Sequence, residues 1–233
     1  MSYAALTIGS RNPLKRFSHR RRFDTAMRLV ALRDAETVLD YGTGDGYLLG
    51  LFKAQAPRSR VAGYDPFPDA GIRDVLLRHP DIAFSRDLDS FRGQRFAKVC
   101  CFETLEHFEG ANLRRHVGAL DALTAPGGRI HVSVPIEIGP PALVKNLVRA
   151  AIGKAHQSTT LANVLNAALY RPNAVQRAQE DAGGYIQSHV GFDHRAIPAA
   201  FAEFGFRPSL RVFAPLGGGA ACNSQVFFVF ERR

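Results

Sequence analysis

From Thr37 onward, short apolar runs alternate with amphipathic stretches of helical period. TVLDY (37–41), RVAGYD (60–65), DIAFSRD (81–87), FAKVCCF (96–102) and RIHVSVP (129–135) read as strands. FAKVCCF is apolar on both faces, as a strand covered on both sides must be. Its adjacent Cys100 and Cys101 are therefore expected to face opposite sides of a sheet. YLLGLFKAQA (47–56), DAGIRDVLLRH (69–79), ANLRRHVGALDALT (111–124) and RAIPAAFAEFGF (195–206) read as the intervening helices. RVFAP and QVFFVFE predict two closing strands around a Gly-rich loop. The alternation predicts an α/β fold with a seven-stranded, mostly parallel sheet, an antiparallel C-terminal strand and helices on both faces.

Two segments break the rhythm. Residues 1–36 form a basic, helical N-terminal arm, and residues 136–187 interrupt the alternation after the fifth strand. The second is expected to be a helical lid over the sheet's carboxyl edge, inserted in a domain spanning 37–233. Within it, ALVKNLVRAAI (142–152) gathers Leu143, Val144, Leu147, Val148, Ala151 and Ile152 on one half of a helical wheel, flanked by Lys145 and Arg149. TLANVLNAALYRP (160–172) predicts a second helix ended by Pro172. A basic amphipathic helix suits a membrane interface. Packing as a lid over an acceptor pocket is the alternative, and a lid that opens on a membrane satisfies both.

Charge sharpens this division. The net charge is +9, yet residues 1–23 hold Arg11, Lys15, Arg16, Arg20, Arg21 and Arg22 without an acid. Residues 138–179 hold Lys145, Arg149, Lys154, Arg171 and Arg177, again without an acid. Such tracts favour an anionic membrane surface, a nucleic acid or a phosphorylated substrate; solvated charge is the alternative. Phe17 and Phe23 in the arm are placed to cover a pocket or stack on a base, but one basic arm is weak ground for a nucleic-acid partner. No apolar run approaches the ~20 residues of a membrane-crossing helix. The basic N-terminus is followed only by RLVAL, too short for a secretory signal. Three cysteines without metal-type spacing fit a reducing compartment. The expected location is the cytoplasm, with peripheral contact at the inner membrane face as the alternative.

TVLDYGTGDGYLLG (37–50) carries the first chemistry. Gly42, Gly44 and Gly46 fall where a strand ends and a helix begins, the position at which open α/β sheets bind ligands. Glycine permits close approach of backbone to ligand, and the helix start offers free N–H groups. Tyr47 stands where a dinucleotide fingerprint needs its third glycine, and Asp45 ill suits a pyrophosphate. The acidic surroundings suit a ligand with a positive centre and no phosphate. Asp40 can take a charged or hydroxylated group, and Asp65 ends the second strand, where an acid holds ribose hydroxyls. Asp87 follows the third strand, where an acid can read an adenine amine; capping a turn with Asp89 is its other reading.

VLDYGTGDGYLL, VAGYD, CFETLEHF and LTAPGGRIHVSVP, in that order, resemble class I S-adenosylmethionine-dependent methyltransferases, which are Rossmann-like, over residues 37–233. The resemblance implies that Asp40, Gly42, Thr43, Gly44, Asp45 and Gly46 cradle the methionine part of the cofactor and that Asp65 grips the ribose. It places Asp87 and Leu88 beside adenine and Phe102 in the cofactor wall.

CFETLEHF (101–108) supplies Glu103, Glu106 and His107. On a helix their i, i+3, i+4 spacing would put them on one face, a set able to bind a divalent ion such as magnesium. The same E-x-x-E-H run occurs in two family branches linked to metal, the ubiquinone-biosynthesis O-methyltransferases and the small-RNA 3′-end 2′-O-methyltransferases. The chain most resembles the first. That resemblance implies catalytic roles for Glu103, His107 and His189, and a metal set of Glu103, Glu106, His107 and His189, with His194 the second choice to His189. Metal-free branches offer another reading, in which Glu103 lines the pocket and His107 is structural. His131, inside a strand, reads as a packed core histidine. The expected reaction is O-methylation of a small or lipid-linked hydroxyl acceptor. A sugar hydroxyl, an RNA 2′-hydroxyl and an inactive cofactor-binding module are the alternatives.

Overall fold

A computed structural model of the chain describes residues 13–151, 160–175, 177 and 184–233. Arg11, Ile152 and Lys154 lie outside the described residues, as do the side chains of Lys15, Val144, Leu147, Val148, Arg149 and Ala151. Seven strands form one sheet: β1 (Thr37–Tyr41), β2 (Arg60–Tyr64), β3 (Ala83–Ser85), β4 (Phe96–Phe102), β5 (Thr124–Pro135), β6 (Phe206–Ala214) and β7 (Gln225–Arg232). Their order is β3-β2-β1-β4-β5-β7-β6. β7 pairs antiparallel with both β5 and β6, and the remaining pairs are parallel. The sheet is the one expected from the apolar runs, with β5 starting earlier, at Thr124, and shifting register between Phe96 and Lys98 of its neighbour.

The helices are α1 (Pro13–Val30), α2 (Tyr47–Gln55), α3 (Ile72–Arg78), α4 (Gly110–Leu123), α5 (Pro140–Ala151), α6 (Leu161–Ala168) and α7 (Ile197–Ala202). Alternation along the strands builds a core on each face. Leu39, Val99, Cys101, Ile130 and Val132 pack with Val117 and Leu120 of α4 and Phe201 of α7. Phe201 stacks on Phe230 of β7 at 4.0 Å between ring centres. On the other face Val38 and Cys100 pack with Leu49 and Phe52 of α2, Val75 of α3 and Val30 of α1. Cys100 and Cys101 thus face opposite sides, as alternation requires. His131 is 2% exposed in β5, and burial pushes its pKa down to about 3, so it stays neutral in the core.

The described part of the basic N-terminal segment is built into this body. Ala26 of α1 packs against Phe227 of β7 and Ala214 of β6, and Val30 and Leu32 enter the second core. Ala142, Ala167 and Val175 of the insertion form a small separate core with Val190, just beyond it. Among the described residues, no helix is long and apolar enough to cross a membrane.

Candidate active site

A cavity of about 840 Å³ opens at the carboxyl ends of β1, β2, β4 and β5. β1 and β4 are neighbours whose crossovers run in opposite directions, and the cavity lies at this switch point.

The glycine loop forms its floor. Gly42 (φ 83°) and Gly46 (φ 75°) adopt a left-handed backbone that side chains disfavour. A Cβ on Gly42 would lie 2.2 Å from Thr104 Oγ1, and one on Gly46 would lie 2.5 Å from Ile72 Cδ1. The loop therefore sits tightly against the start of the ETLEH turn and against α3. Gly42 N donates to the Tyr64 carbonyl at 2.8 Å, and Thr43 Oγ1 donates to the Asp40 carbonyl at 3.1 Å. Asp45 Oδ1 accepts from Tyr47 N at 3.1 Å, which caps α2 where Gly46 has no side chain to do so.

Asp65 is held at both oxygens. Oδ2 accepts from Gly44 N at 2.7 Å and Oδ1 from Phe67 N at 2.8 Å. Asp40 lines the cavity while only 2% exposed. Burial, then the nearby charges of Asp65 and Asp45, push its pKa up to about 7. Asp40, Gly42, Thr43, Gly44, Asp45, Asp65 and Phe102 all line the cavity. Gly46 does not; it turns the chain into α2. Asp87 and Leu88 are also not brought to its wall. Asp87 accepts from Asp89 N at 3.0 Å and caps a short 3₁₀ turn (Leu88–Phe91), its other sequence reading.

The ETLEH run departs from the helical expectation. Glu103 has φ 52°, a strained value for a non-glycine residue, and only Leu105–His107 form one 3₁₀ turn. The i, i+3, i+4 face therefore does not exist here. Glu103 stays in the cavity wall, where its Oε1 accepts from Ser133 Oγ at 3.2 Å and its Oε2 lies 3.7 Å from Arg22 Nη1 of α1. Glu106, His107 and His189 do converge, offering one ligand atom each within 4.8 Å of one another. Glu106 is fully buried with neither carboxylate oxygen hydrogen-bonded. Burial and the Glu103 charge push its pKa well above the usual carboxylate range. His107 Nδ1 lies 2.8 Å from the Ile186 carbonyl oxygen. A carbonyl only accepts, so Nδ1 carries the proton and Nε2 keeps its lone pair. Burial lowers the His107 pKa, and Tyr185 stacks on its ring at 4.5 Å. His194 is buried but is not in the cavity wall.

Some wall residues had no motif to mark them. Arg22 comes from α1 and Tyr185 from the insertion, while Phe23 of α1 is in the wall as expected of a pocket cover. Phe17, paired with Phe23 as a possible cover, instead sits 46% exposed, outside this wall. Neither α5 nor α6 contributes a described residue to the cavity. Tyr41 OH meets His116 Nδ1 at 2.6 Å, and Phe108 stacks on His116 at 3.8 Å. One signal was readable: Tyr41 puts a hydroxyl at the end of an otherwise apolar buried strand, where it needs a partner. His116 on an amphipathic helix gave none.

A family model described as a methyltransferase domain matches residues 14–207. The chain belongs to this methyltransferase family. It is an S-adenosylmethionine-dependent methyltransferase with the class I fold. No curated protein sequence is significantly similar to it. Solved methyltransferase structures share its fold at low identity. One is the N-methyltransferase NodS from Bradyrhizobium japonicum WM9 in complex with S-adenosylhomocysteine (16% identity, 96% of this chain and 89% of that one, TM-score 0.56). Another is the 1,6-didemethyltoxoflavin-N1-methyltransferase of Burkholderia thailandensis, with bound 1,6-didemethyltoxoflavin and S-adenosylhomocysteine (15%, 99% and 85%, 0.60). A third is the magnesium protoporphyrin IX methyltransferase ChlM from Synechocystis PCC 6803 (15%, 95% and 88%, 0.57). The methyltransferase match begins inside α1, which also supplies Arg22, Phe23 and Ala26 to the cavity.

Proposed function

We propose that this methyltransferase O-methylates a small hydroxyl acceptor, with His107 taking the acceptor's proton. The carrying observation is the convergence of Glu106, His107 and His189 on one wall of the cavity. S-adenosylmethionine supplies a methyl group on a sulfonium whose loss is already favourable. The protein must hold the acceptor oxygen in line and accept its proton. His107, neutral through burial and fixed as the Nδ1–H tautomer, presents Nε2 for that transfer. Burial keeps Glu106 protonated in the ligand-free protein; once the cationic cofactor draws that proton off to solvent, its carboxylate, one residue away, stabilises the imidazolium that results.

Asp40 faces the cationic end of the cofactor and Asp65 its ribose hydroxyls, since each Asp65 oxygen retains a lone pair after accepting one backbone N–H. Adenine then lies beyond Asp65, against Tyr64, Phe67 and the Tyr41–His116 pair. Asp87, engaged in its turn, takes no part.

The same cluster fits a divalent cation such as magnesium. The two bare, buried oxygens of Glu106 are what a cation would satisfy, and His107 Nδ1–H bonded to a carbonyl is the arrangement that orients a ligating imidazole. Glu106, His107 and His189 would hold the ion, and it would lower the pKa of the acceptor hydroxyl. Glu103, tied to Ser133 and Arg22, is outside the set.

A lipid-linked acceptor is the second reading. Leu161, Leu165 and Leu169 lie exposed at i, i+4, i+8 along α6 and its end, a stripe suited to an apolar tail or a membrane face.

Methyl-labelled S-adenosylmethionine and a cell extract, with and without chelator, test these readings. Label in an organic-soluble fraction supports the lipid-linked acceptor, and label in an aqueous small-molecule fraction supports the small one. Loss of labelling in chelator supports the metal. Glu106→Gln and His107→Ala should each cut labelling by about 10²-fold or more while retaining S-adenosylhomocysteine binding; wild-type rates in both would end the proposal.

A further inference from the structure

Glu106 and His107 end the ETLEH turn, whereas His189 belongs to a segment far along the chain. Something must register one against the other. Arg177 lies between them with its side chain only 5% exposed. Its Nη2 donates to the Glu106 carbonyl at 2.6 Å and to the Ser188 carbonyl at 3.0 Å. Those are the peptide groups immediately preceding His107 and His189. Nη1 pairs with Glu109, just beyond the turn, and the guanidinium lies 5.4 Å over the Phe192 ring.

We infer that Arg177 is the positioning residue that assembles the two halves of the proton-accepting site. The inference rests on the reading of Glu106, His107 and His189 as that site. Guanidinium suits the task because its planar fork presents several donors in fixed directions, so one side chain fixes two backbone carbonyls and a carboxylate together. Lysine, a single flexible point donor, cannot hold the same three acceptors in one geometry. The two segments also bond directly. Ile186 N donates to the His107 carbonyl at 2.9 Å, and His107 Nδ1–H donates back to the Ile186 carbonyl at 2.8 Å. The tautomer of His107 therefore depends on how the 184–189 segment sits, and Arg177 sets that seat. Arg177 thus couples the segment after β5 to the proton transfer without touching the cofactor loop.

The test uses Arg177→Met and Arg177→Lys in the full chain, with three readouts. Calorimetry with S-adenosylhomocysteine should give affinities within about threefold of wild type, since no cofactor contact changes. Nitrogen-15 imidazole spectra should show His107 as a single Nδ1–H tautomer in wild type and a mixture of tautomers in Arg177→Met, with Arg177→Lys between them. Labelling of the extract fraction that wild type methylates should fall about 10²-fold in Arg177→Met, the scale of an ångström-level misplacement. Wild-type imidazole spectra and labelling in Arg177→Met would overturn the inference. Loss of cofactor affinity in step with labelling would also overturn it, because that marks general collapse rather than positioning. If Arg177→Met does not fold, Glu109→Gln, which releases the guanidinium from one side, should shift the tautomer ratio in the same direction; no shift overturns the inference. Glu106→Gln separates the two ideas. If it labels at the wild-type rate, the reading of the cluster fails. If it is inactive while Arg177→Met is unimpaired, only the positioning role fails.

Discussion

The Asp65 carboxylate accepts the Gly44 amide at 2.7 Å, so the end of β2 fixes the glycine loop that follows β1. A charge-assisted bond of this kind stabilises by about 1.5–3 kcal/mol. Asp65→Ala removes it, together with the bond to Phe67 N and the proposed ribose contact. S-adenosylhomocysteine affinity should fall by about 10–100-fold by calorimetry. Asp65→Asn, which keeps an acceptor oxygen for one of the amides, should fall less. Unchanged affinity in Asp65→Ala would remove the ribose assignment.

Gly42→Ala should damage both fold and binding. Its Cβ would meet Thr104 Oγ1 at 2.2 Å in a backbone conformation that alanine disfavours. The strain is on the order of 1–3 kcal/mol, read as a lowered melting temperature. Pairing it with Thr104→Ala removes the worst contact, leaving the Thr104 Cβ at 3.1 Å and the backbone strain, so the double variant should recover part of the loss.

Local pattern carried the sheet and the cofactor loop because both are written in short windows. The apolar runs of β1, β2 and β4 have strand length, and Asp40, Gly42, Gly44 and Asp65 stand at strand ends where chain order alone locates them. The acceptor end was less legible. Its spacing argument assumed a regular helix after β4, and the left-handed Glu103 breaks that premise by turning the chain before the helix can start. His189 was named from the family resemblance, yet nothing local announces that Arg177 ties it to Glu106 from within the insertion. Arg22 reads as one of many arm cations until α1 packs on β6 and β7 and carries it to Glu103. These residues meet through tertiary packing, and no window of sequence contains both partners.

The Tyr41–His116 pair should contribute to recognition of the nucleoside. Burial raises the Tyr41 pKa, so the phenol keeps its proton and its hydroxyl shares a hydrogen bond with Nδ1. Burial, then the Arg115 charge, lowers the His116 pKa to about 4. The ring is therefore uncharged at neutral pH; its Nε2 is buried and out of reach of a ligand, so the pair meets the nucleoside as an apolar wall. His116→Ala should weaken S-adenosylhomocysteine and methylthioadenosine by a similar factor, about 3–10-fold for one aromatic contact. An effect on S-adenosylhomocysteine alone would place His116 at the amino-acid end instead. Tyr41→Phe, which removes the hydroxyl that holds the ring, should give a smaller loss of the same kind.

Cofactor binding should depend on pH through Asp40. A cationic ligand needs its carboxylate ionised, and the pKa of about 7 leaves it largely protonated in mildly acidic solution. If only the ionised form binds, affinity for S-adenosylhomocysteine, whose amino-acid end carries an ammonium, should fall roughly tenfold from pH 8 to pH 6. The sign for the ligand-free fold is opposite. With the folded pKa raised above the ordinary value of 3.8, the contribution of Asp40 to stability is greatest below 3.8 and is lost as pH rises through about 7. The ligand-induced rise in melting temperature should therefore grow from pH 6 to pH 8 in wild type and stay flat in Asp40→Asn. A flat profile in wild type would show that Asp40 is already ionised in the free protein, and its role as the acid facing the cofactor's charge would need no proton release.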